Sequence, residues 1–369
     1  MVAGSILPGR MLRGLTFERH APEEMQQNDE APVDFAVKNG SRGMRLSIVV
    51  EDPHLSDTSM FVTSIGPGET VEITTSRRAD HRGLLEATHV KVRTVAPFGV
   101  AERHRRVRVD GTTLVLPAVV PLGRLSFVEP APSMNTAMRS APRRGQGPEY
   151  FGVREYRSGD SMRHVHWPST ARTGAVMVRE FEEETTRRVA IVVDASRDAG
   201  DSWTPLDRCC SAAASIALAS SGQGQGVRLV LAEEGTTDVL ARSDGRELLR
   251  RLALLRADDR MPFDSLLDRL GDELNGIETL VLVFPTWREN VPELLAPAVG
   301  ALAERFSRVV ALAVEVDPQE APRAAAPAAV SAELERGLGE AGADFRIWRV
   351  GTGLSEALGE ASVLAEVRV

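Results

Sequence analysis

The hydrophobic period of the chain changes near residue 188, and that change limits what it can fold into. From Arg188 onward, apolar runs (RVAIVVDAS, VRLVLAEE, TLVLVFP, RVVALAVEV) alternate with LDRCCSAAASIALASSG, ELLRRLALLR, LLDRLGDEL, VPELLAPAVGALAERF and AELERGLGEAG, before a last run, FRIWRVG. Short, continuously apolar runs suit strands buried on both faces, and the helical stretches between them supply the cover. Residues 188–369 are therefore expected to form a doubly wound α/β domain on a parallel sheet. The Pro/Ala-rich stretch at 317–329 reads as a surface connection, because a helix and a strand still follow it.

Upstream the pattern has period two. From about Pro32 to Leu122 come short β-prone runs, VDFAVKN, RLSIVVED, SMFVTSI, TVEITTS, HVKVRTV and TLVLPAVV. Asn39-Gly40, Gly66-Pro67-Gly68 and Asp110-Gly111 fall between runs and read as turns. Val71 and Ile73 alternate with Glu72 and Thr74, and Val90 and Val92 with Lys91 and Arg93, as in strands with one buried face. Such spacing predicts an immunoglobulin-like antiparallel β-sandwich. The expected organisation is a multidomain α+β chain: the sandwich over 1–125, a linker and an arginine-rich segment over 126–187, and the α/β domain over 188–369. Little periodicity and several prolines mark 123–147 as the linker.

Composition excludes several classes. The chain has 369 residues, 43% hydrophobic and 26% charged, enough for about two domains of ordinary size. No apolar run is long enough for a membrane span, and the opening residues lack a secretory signal core. Cys209 and Cys210 are adjacent in an alanine-rich segment, unsuited to an ordinary structural bridge and consistent with a reducing cytosol. A net charge of −8 argues against general nucleic-acid binding, and RHRRVR at 103–108 reads as a solvated strand face. Neither a Gly-x-Ser-x-Gly nor a Gly-x-x-x-x-Gly-Lys motif is present.

Functional-looking chemistry gathers between Gly152 and Glu184. Here lie Arg154, Tyr156, Arg157, Gly159-Asp160, Arg163, His164, His166, Trp167, Ala171-Arg172 and the carboxylates Glu182, Glu183 and Glu184. The order Arg-x-Tyr-x-x-Gly-Asp, then Arg-x-x-x-Trp, then Ala-Arg resembles the signature of the bacterial DUF58 family. Arg82-Gly83 and Pro97-Phe98-Gly99-Val100 are similar to further landmarks of that family, although Ala96 stands where an aspartate is usual. Asp194-Ala195-Ser196 after the first α/β strand resembles a von Willebrand factor A-type domain, which the DUF58 resemblance also implies.

These resemblances carry functional expectations. A-type domains hold Mg²⁺ through Asp-x-Ser-x-Ser and two later loops, and hard oxygen ligands suit that ion. Here Asp194 and Ser196 match, Asp198 replaces the second serine, and Pro285-Thr286-Trp287 and Met261-Pro262-Phe263-Asp264 depart from the later loops, so no cofactor is expected. The alternative for Asp194 and Ser196 is side-chain capping of the following turn. The signature residues Arg154, Tyr156, Gly159, Asp160, Arg163, Trp167 and Arg172 read as a clamp between the two domains through arginine–carboxylate pairs, as a partner surface anchored by Trp167, or as both. Nucleic-acid stacking on Trp167 and catalysis by His164 and His166 are the lesser readings. Relatives commonly carry two hydrophobic helices ahead of the sandwich and are encoded beside MoxR-type AAA+ ATPases. The expectation is thus a non-enzymatic adaptor or assembly factor in the cytoplasm, working with such an ATPase. A metal-dependent ligand-binding or adhesion module is the alternative.

Overall fold

A computed structural model describes residues 11–53, 59–95, 102–128, 144–156, 165–182, 188–196, 203–233, 236–241, 245–257, 261–274, 276–286, 291–315 and 327–359. The amino-terminal part has eight strands, β1 (Leu15–His20), β2 (Glu24–Gln26), β3 (Glu30–Asn39), β4 (Arg45–Glu51), β5 (Ser59–Ile65), β6 (Thr70–Arg78), β7 (Gly83–Thr94) and β8 (Arg103–Leu116). One sheet has the order β1-β3-β6 and the other β2-β8-β7-β4-β5. The pairings are antiparallel except β2 with β8. Alternation puts Val33, Phe35 and Val37 of the first sheet against Ile48, Val50, Val90 and Val92 of the second, in one buried cluster. Each such side chain contributes about 1.5–3 kcal/mol on burial.

Asn39 and the residues around it form the expected turn. Its buried side-chain amide donates to the carbonyls of Gly43, Ile65 and Gly66 at 2.9–3.0 Å, and its Oδ1 accepts from Ser41 N. Asp110-Gly111 does not form the expected turn. Both residues lie inside β8, where the register against β7 slips between Ala87 and His89. The glycine accommodates a bulge in a long hairpin, an irregularity that local sequence does not distinguish from a turn. The Pro97–Val100 landmark lies outside the described residues.

The carboxyl-terminal part contains a six-stranded sheet. Its strands are β11 (Arg188–Val193), β12 (Gly226–Glu233), β13 (Thr236–Ala241), β14 (Thr279–Pro285), β15 (Arg308–Val314) and β16 (Asp344–Trp348), in the order β13-β12-β11-β14-β15-β16. All pairings are parallel except β12 with β13, so the expected parallel sheet gains an antiparallel edge. β12 ends at Glu233 and β13 begins at Thr236, and strands joined by so short a connection can pair only antiparallel.

Helices cover both sheet faces. On one lie α2 (Trp203–Gly222), α3 (Gly245–Leu254) and α7 (Leu354–Ala357), packed against Val189, Ile191 and Val193. On the other, α4 (Phe263–Glu273), α5 (Val291–Arg305) and α6 (Pro327–Glu340) pack against Ala190 and Val192. Between the two parts in sequence lie β9 (Arg144–Glu155), α1 (Trp167–Thr173) and β10 (Met177–Glu182). No helix among the described residues is long and apolar enough to cross a membrane.

α2 is buried on every side from Cys209 to Ala217. A helix apolar all round needs cover on both flanks, and here the sheet supplies only one. Leu125, Phe127 and Val128 fill the same cluster, and Val120 N donates to Ser215 Oγ at 2.9 Å. Residues 120–128, which straddle the boundary expected at 125, are therefore part of the α/β core rather than a free connection. The rest of the expected linker, 129–143, lies outside the described residues.

Candidate functional site

The signature segment builds a small unit of its own. β9 pairs antiparallel with β10, with Arg154 opposite Val178 and a register shift between Glu180 and Phe181. Val165 bridges to Val178, and His166 N donates to Met177 O at 2.7 Å, which brings the chain onto the hairpin just before α1. Pro168 suits the first turn, where a missing N–H costs nothing. Thr170 then ties the helix down, its Oγ1 donating to His166 O at 3.1 Å and accepting from Met177 N at 2.9 Å. Gly174, with φ of 77°, ends the helix in the left-handed conformation. Val165, Ser169 and Val178 are the buried side chains of this arrangement.

What the unit presents outward is aromatic and cationic. Trp167 is 65% exposed, Tyr156 39% and Val176 41%, and Tyr156 N donates to Val176 O at 2.8 Å. Arg172 is exposed in the last turn of α1, where a cation meets the negative end of the helix. His166 Nδ1 lies 2.8 Å from Ser169 Oγ. Arg157, Gly159, Asp160, Arg163, His164, Glu183 and Glu184 lie outside the described residues, as does the side chain of Arg154.

Among the described residues, a buried ion pair fastens the sandwich to the α/β part. Arg82 Nη1 lies 3.1 Å from Asp207 Oδ1, with side chains 0% and 2% exposed, and Arg82 Nη2 donates to Leu255 O at 2.9 Å just past α3. On the other carboxylate oxygen of Asp207 converge His81 Nδ1 at 3.1 Å and Gln27 Nε2 at 3.5 Å. Gln27 also donates to Asp80 O at 2.8 Å, which holds it in place. Gly83 follows with φ of 123°, a conformation that a side chain would strain, and it faces Ala253 O. Burial pushes the Asp207 carboxyl above the ordinary aspartate range, while Arg82 and His81 draw it back down. A second contact is exposed: Glu24 of β2 meets Arg246 at 2.7 Å and Arg250 at 2.5 Å on α3, and the Arg246 hydrogen bond leads in holding its carboxyl low.

Sequence reasoning singled out Arg82-Gly83 but not its partner. Asp207 begins the alanine-rich run of α2, and a lone carboxylate at the head of a helix that must be buried all round is the signal available for it. Next to it, Cys209 and Cys210 are free and fully buried. Burial pushes the Cys210 thiol up to about 11 and raises Cys209 as well, so neither is a ready thiolate at neutral pH.

Asp194 lies at the carboxyl end of β11. Its neighbours β12 and β14 are reached in opposite directions along the sheet, so this is the point where strand order reverses and ligands bind in open α/β sheets. Ser196 N and Oγ both donate to Asp194 Oδ1, at 3.0 and 2.5 Å, and Asp194 N donates to Val283 O. Both residues are buried, as is Thr286 at the end of β14. The geometry is a side-chain-capped turn at the switch point. Phe263, from the loop expected to carry a later ligand, is in the core beside Phe284. Asp198 and Trp287 lie outside the described residues, and among the described ones no three His, Cys, Asp or Glu side chains gather as a metal cluster.

Fold and contacts define a two-part protein, an antiparallel sandwich latched to a helix-covered mixed sheet, with a hairpin-and-helix unit between them in sequence. Residues 152–272 match the family described as "Protein of unknown function DUF58", a stretch that begins in the hairpin unit and ends in α4. No curated protein matches the chain. Among solved structures, the solution structure of the CARDB domain of PF1109 from Pyrococcus furiosus is 19% identical, covers 28% of this chain and 94% of its own, and has a TM-score of 0.21. A crystal structure of that domain with di-metal ions is 21% identical over 28% of this chain and 87% of its own, again at a TM-score of 0.21. A GH20 exo-β-N-acetylglucosaminidase from Vibrio harveyi is 9% identical over 91% of this chain and 76% of its own, at a TM-score of 0.25. Likeness this slight carries neither fold nor function to this chain.

Proposed function

We propose that this chain is a non-enzymatic interaction module, an adaptor that works with a MoxR-type AAA+ ATPase on the cytoplasmic side of the cell membrane. One observation carries the reading: Trp167 stands 65% exposed on a short helix that is itself fixed to a hairpin. A rigidly presented tryptophan with Tyr156 and Arg172 on the same unit has the composition of a binding hot spot, because large aromatic and guanidinium groups gain most from desolvation against a partner. The family's usual genomic company supplies the ATPase as the partner to try, by analogy. An immunoglobulin-like sandwich followed by a von Willebrand factor A-like domain is the finer architecture we favour, supported by the strand order and by Asp194-Ala195-Ser196 at its reversal.

The test is affinity for the MoxR-type ATPase of the native host, measured with and without ATP. Trp167→Ala is expected to cost about 2 kcal/mol or more, roughly a 30-fold weaker Kd, with unchanged circular dichroism. Arg172→Glu is expected to weaken binding in the same direction. Full affinity in both variants removes the surface from consideration.

A second reading rests on the switch-point position of Asp194 and Ser196: a ligand-binding module that uses Mg²⁺. Calorimetry with Mg²⁺ or Mn²⁺ is then expected to show binding at millimolar metal that Asp194→Ala abolishes. Heat that is absent, or equal in the variant, rules this reading out.

A further inference from the structure

The outer edge of β6 is one of the sandwich edges that the described strand pairings leave open. β6 ends the β1-β3-β6 sheet and pairs with β3 alone, in unbroken register from Glu30↔Arg78 to Lys38↔Thr70. The inward row of β3, Val33, Phe35 and Val37, is fully buried, whereas Val71 and Ile73, the inward row of β6, remain half-buried. Half-buried apolar side chains at the rim of a sandwich are what an uncovered edge leaves behind. Native edges are commonly blunted by lysine, proline or a bulge. The run Thr70-Val71-Glu72-Ile73-Thr74-Thr75-Ser76 has none of these, and Glu72 is its one charge.

The phase of the ladder shows which backbone groups face outward. Asn39 N donates to Glu69 O at 2.9 Å, and hydrogen-bonded pairs alternate along an antiparallel ladder. Odd-numbered residues of β6 therefore bond to β3, and Thr70, Glu72, Thr74, Ser76 and Arg78 turn N–H and C=O to the open side. The side chains of these even-numbered residues also share the outer face of the sheet.

We infer that the edge of β6 pairs with β6 of a second copy of this chain, antiparallel about a twofold axis at Thr75. That register opposes Glu72 to Arg78 of the other copy twice over, and Thr74 to Ser76. The strand is self-complementary in charge, as an isologous interface requires. Within its own sheet Glu72 lies opposite Ala36, which offers its carboxylate no charge. Arg78 lies opposite Glu30 and donates to Asn28 Oδ1 at 3.3 Å, both within its own sheet, and its side chain is exposed on the outer face. Pairing joins two three-stranded sheets into one of six strands and covers Val71 and Ile73 from the side. A foreign strand with a single sign of charge would satisfy only one end of β6; a second copy satisfies both.

Sedimentation velocity of the full chain across the micromolar to submillimolar range tests this. The wild type is expected to dimerise with increasing concentration. Thr74→Pro removes an outward N–H and the Thr74–Asp34 side-chain bond but none of the backbone bonds to β3, and is expected to give a folded monomer. Glu72→Arg alone opposes two arginines at each end, and Arg78→Glu alone opposes two glutamates. Each is expected to weaken self-association about tenfold. Mixing the two variants opposes arginine to glutamate at both ends and is expected to restore a dimer. Circular dichroism and thermal unfolding of each variant separate loss of pairing from loss of fold. A wild type monomeric throughout the range overturns the inference. So does a folded Thr74→Pro chain that dimerises as the wild type does, or a mixture no better than its components.

Discussion

Asp207→Ala is expected to separate one unfolding transition into two and to destabilise the native protein by about 3–5 kcal/mol. The size follows from what stays behind. Arg82 is fully buried, its guanidinium lies 3.1 Å from the carboxylate, and it donates to the carbonyl of Leu255 at 2.9 Å. Removing the carboxylate leaves a buried cation without its counter-charge, which costs far more than the net worth of the intact pair. His81 and Gln27 lose their common acceptor in the same step. These residues reach from the sandwich to α2, so the loss falls on the contact between two cores rather than within either. Calorimetry and urea unfolding followed by circular dichroism measure it: one cooperative transition for the wild type, two for the variant. The double change Arg82→Leu with Asp207→Leu is expected to recover part of the loss, because apolar groups of similar size leave no buried charge. A single transition within 1 kcal/mol of wild type (about fivefold in the folding equilibrium) in Asp207→Ala would show that the exposed Glu24 contacts hold the parts together instead.

This latch also shows what the sequence could and could not disclose. Strand and helix periods stated both cores, because burial on one face or two leaves a period in the residues themselves, from the alternation of Val71 and Ile73 to the continuous run of β14. Features that depend on pairing left no such trace. The antiparallel edge β13 is decided by a two-residue connection, the bulge at Asp110-Gly111 by the register of a partner strand, and the burial of Leu125, Phe127 and Val128 by the cluster they share with α2. At the site, the signature marked Trp167 and Arg172, which stand exposed on the hairpin unit, and pointed to carboxylates nearby in sequence as the partners of its arginines. Asp207 lies in a helix far along the chain from Arg82. A tertiary ion pair of that separation has no periodicity and no spacing rule, and only the shared need of a buried arginine and a buried aspartate connects them.

Asp52→Ala is the second large effect, expected to cost about 3–5 kcal/mol and to act within the sandwich. Arg19 of β1 belongs to one sheet, and Asp52, directly after β4, to the other; Arg19 Nη2 lies 3.0 Å from Asp52 Oδ2 with the side chains 1% and 0% exposed. Arg19 Nη1 donates to Ala87 O at 3.2 Å, and the guanidinium lies 5.6 Å from the centre of the Phe35 ring. Burial lowers the pKa of Arg19 from its ordinary value and the charge of Asp52 works against that, so the aspartate is what makes a cation tolerable between the sheets. Without it, water must enter or the arginine must leave, and leaving opens the core around Phe35. The loss should therefore appear in the transition assigned to the sandwich, with the α/β transition unmoved once the Asp207 latch is also cut. Measured in that order, Asp207→Ala first and Asp52→Ala upon it, the second change is expected to lower one midpoint only. If both midpoints fall together, the two parts are coupled by more than the latch. If neither falls, the buried pair is not what closes the two sheets on each other.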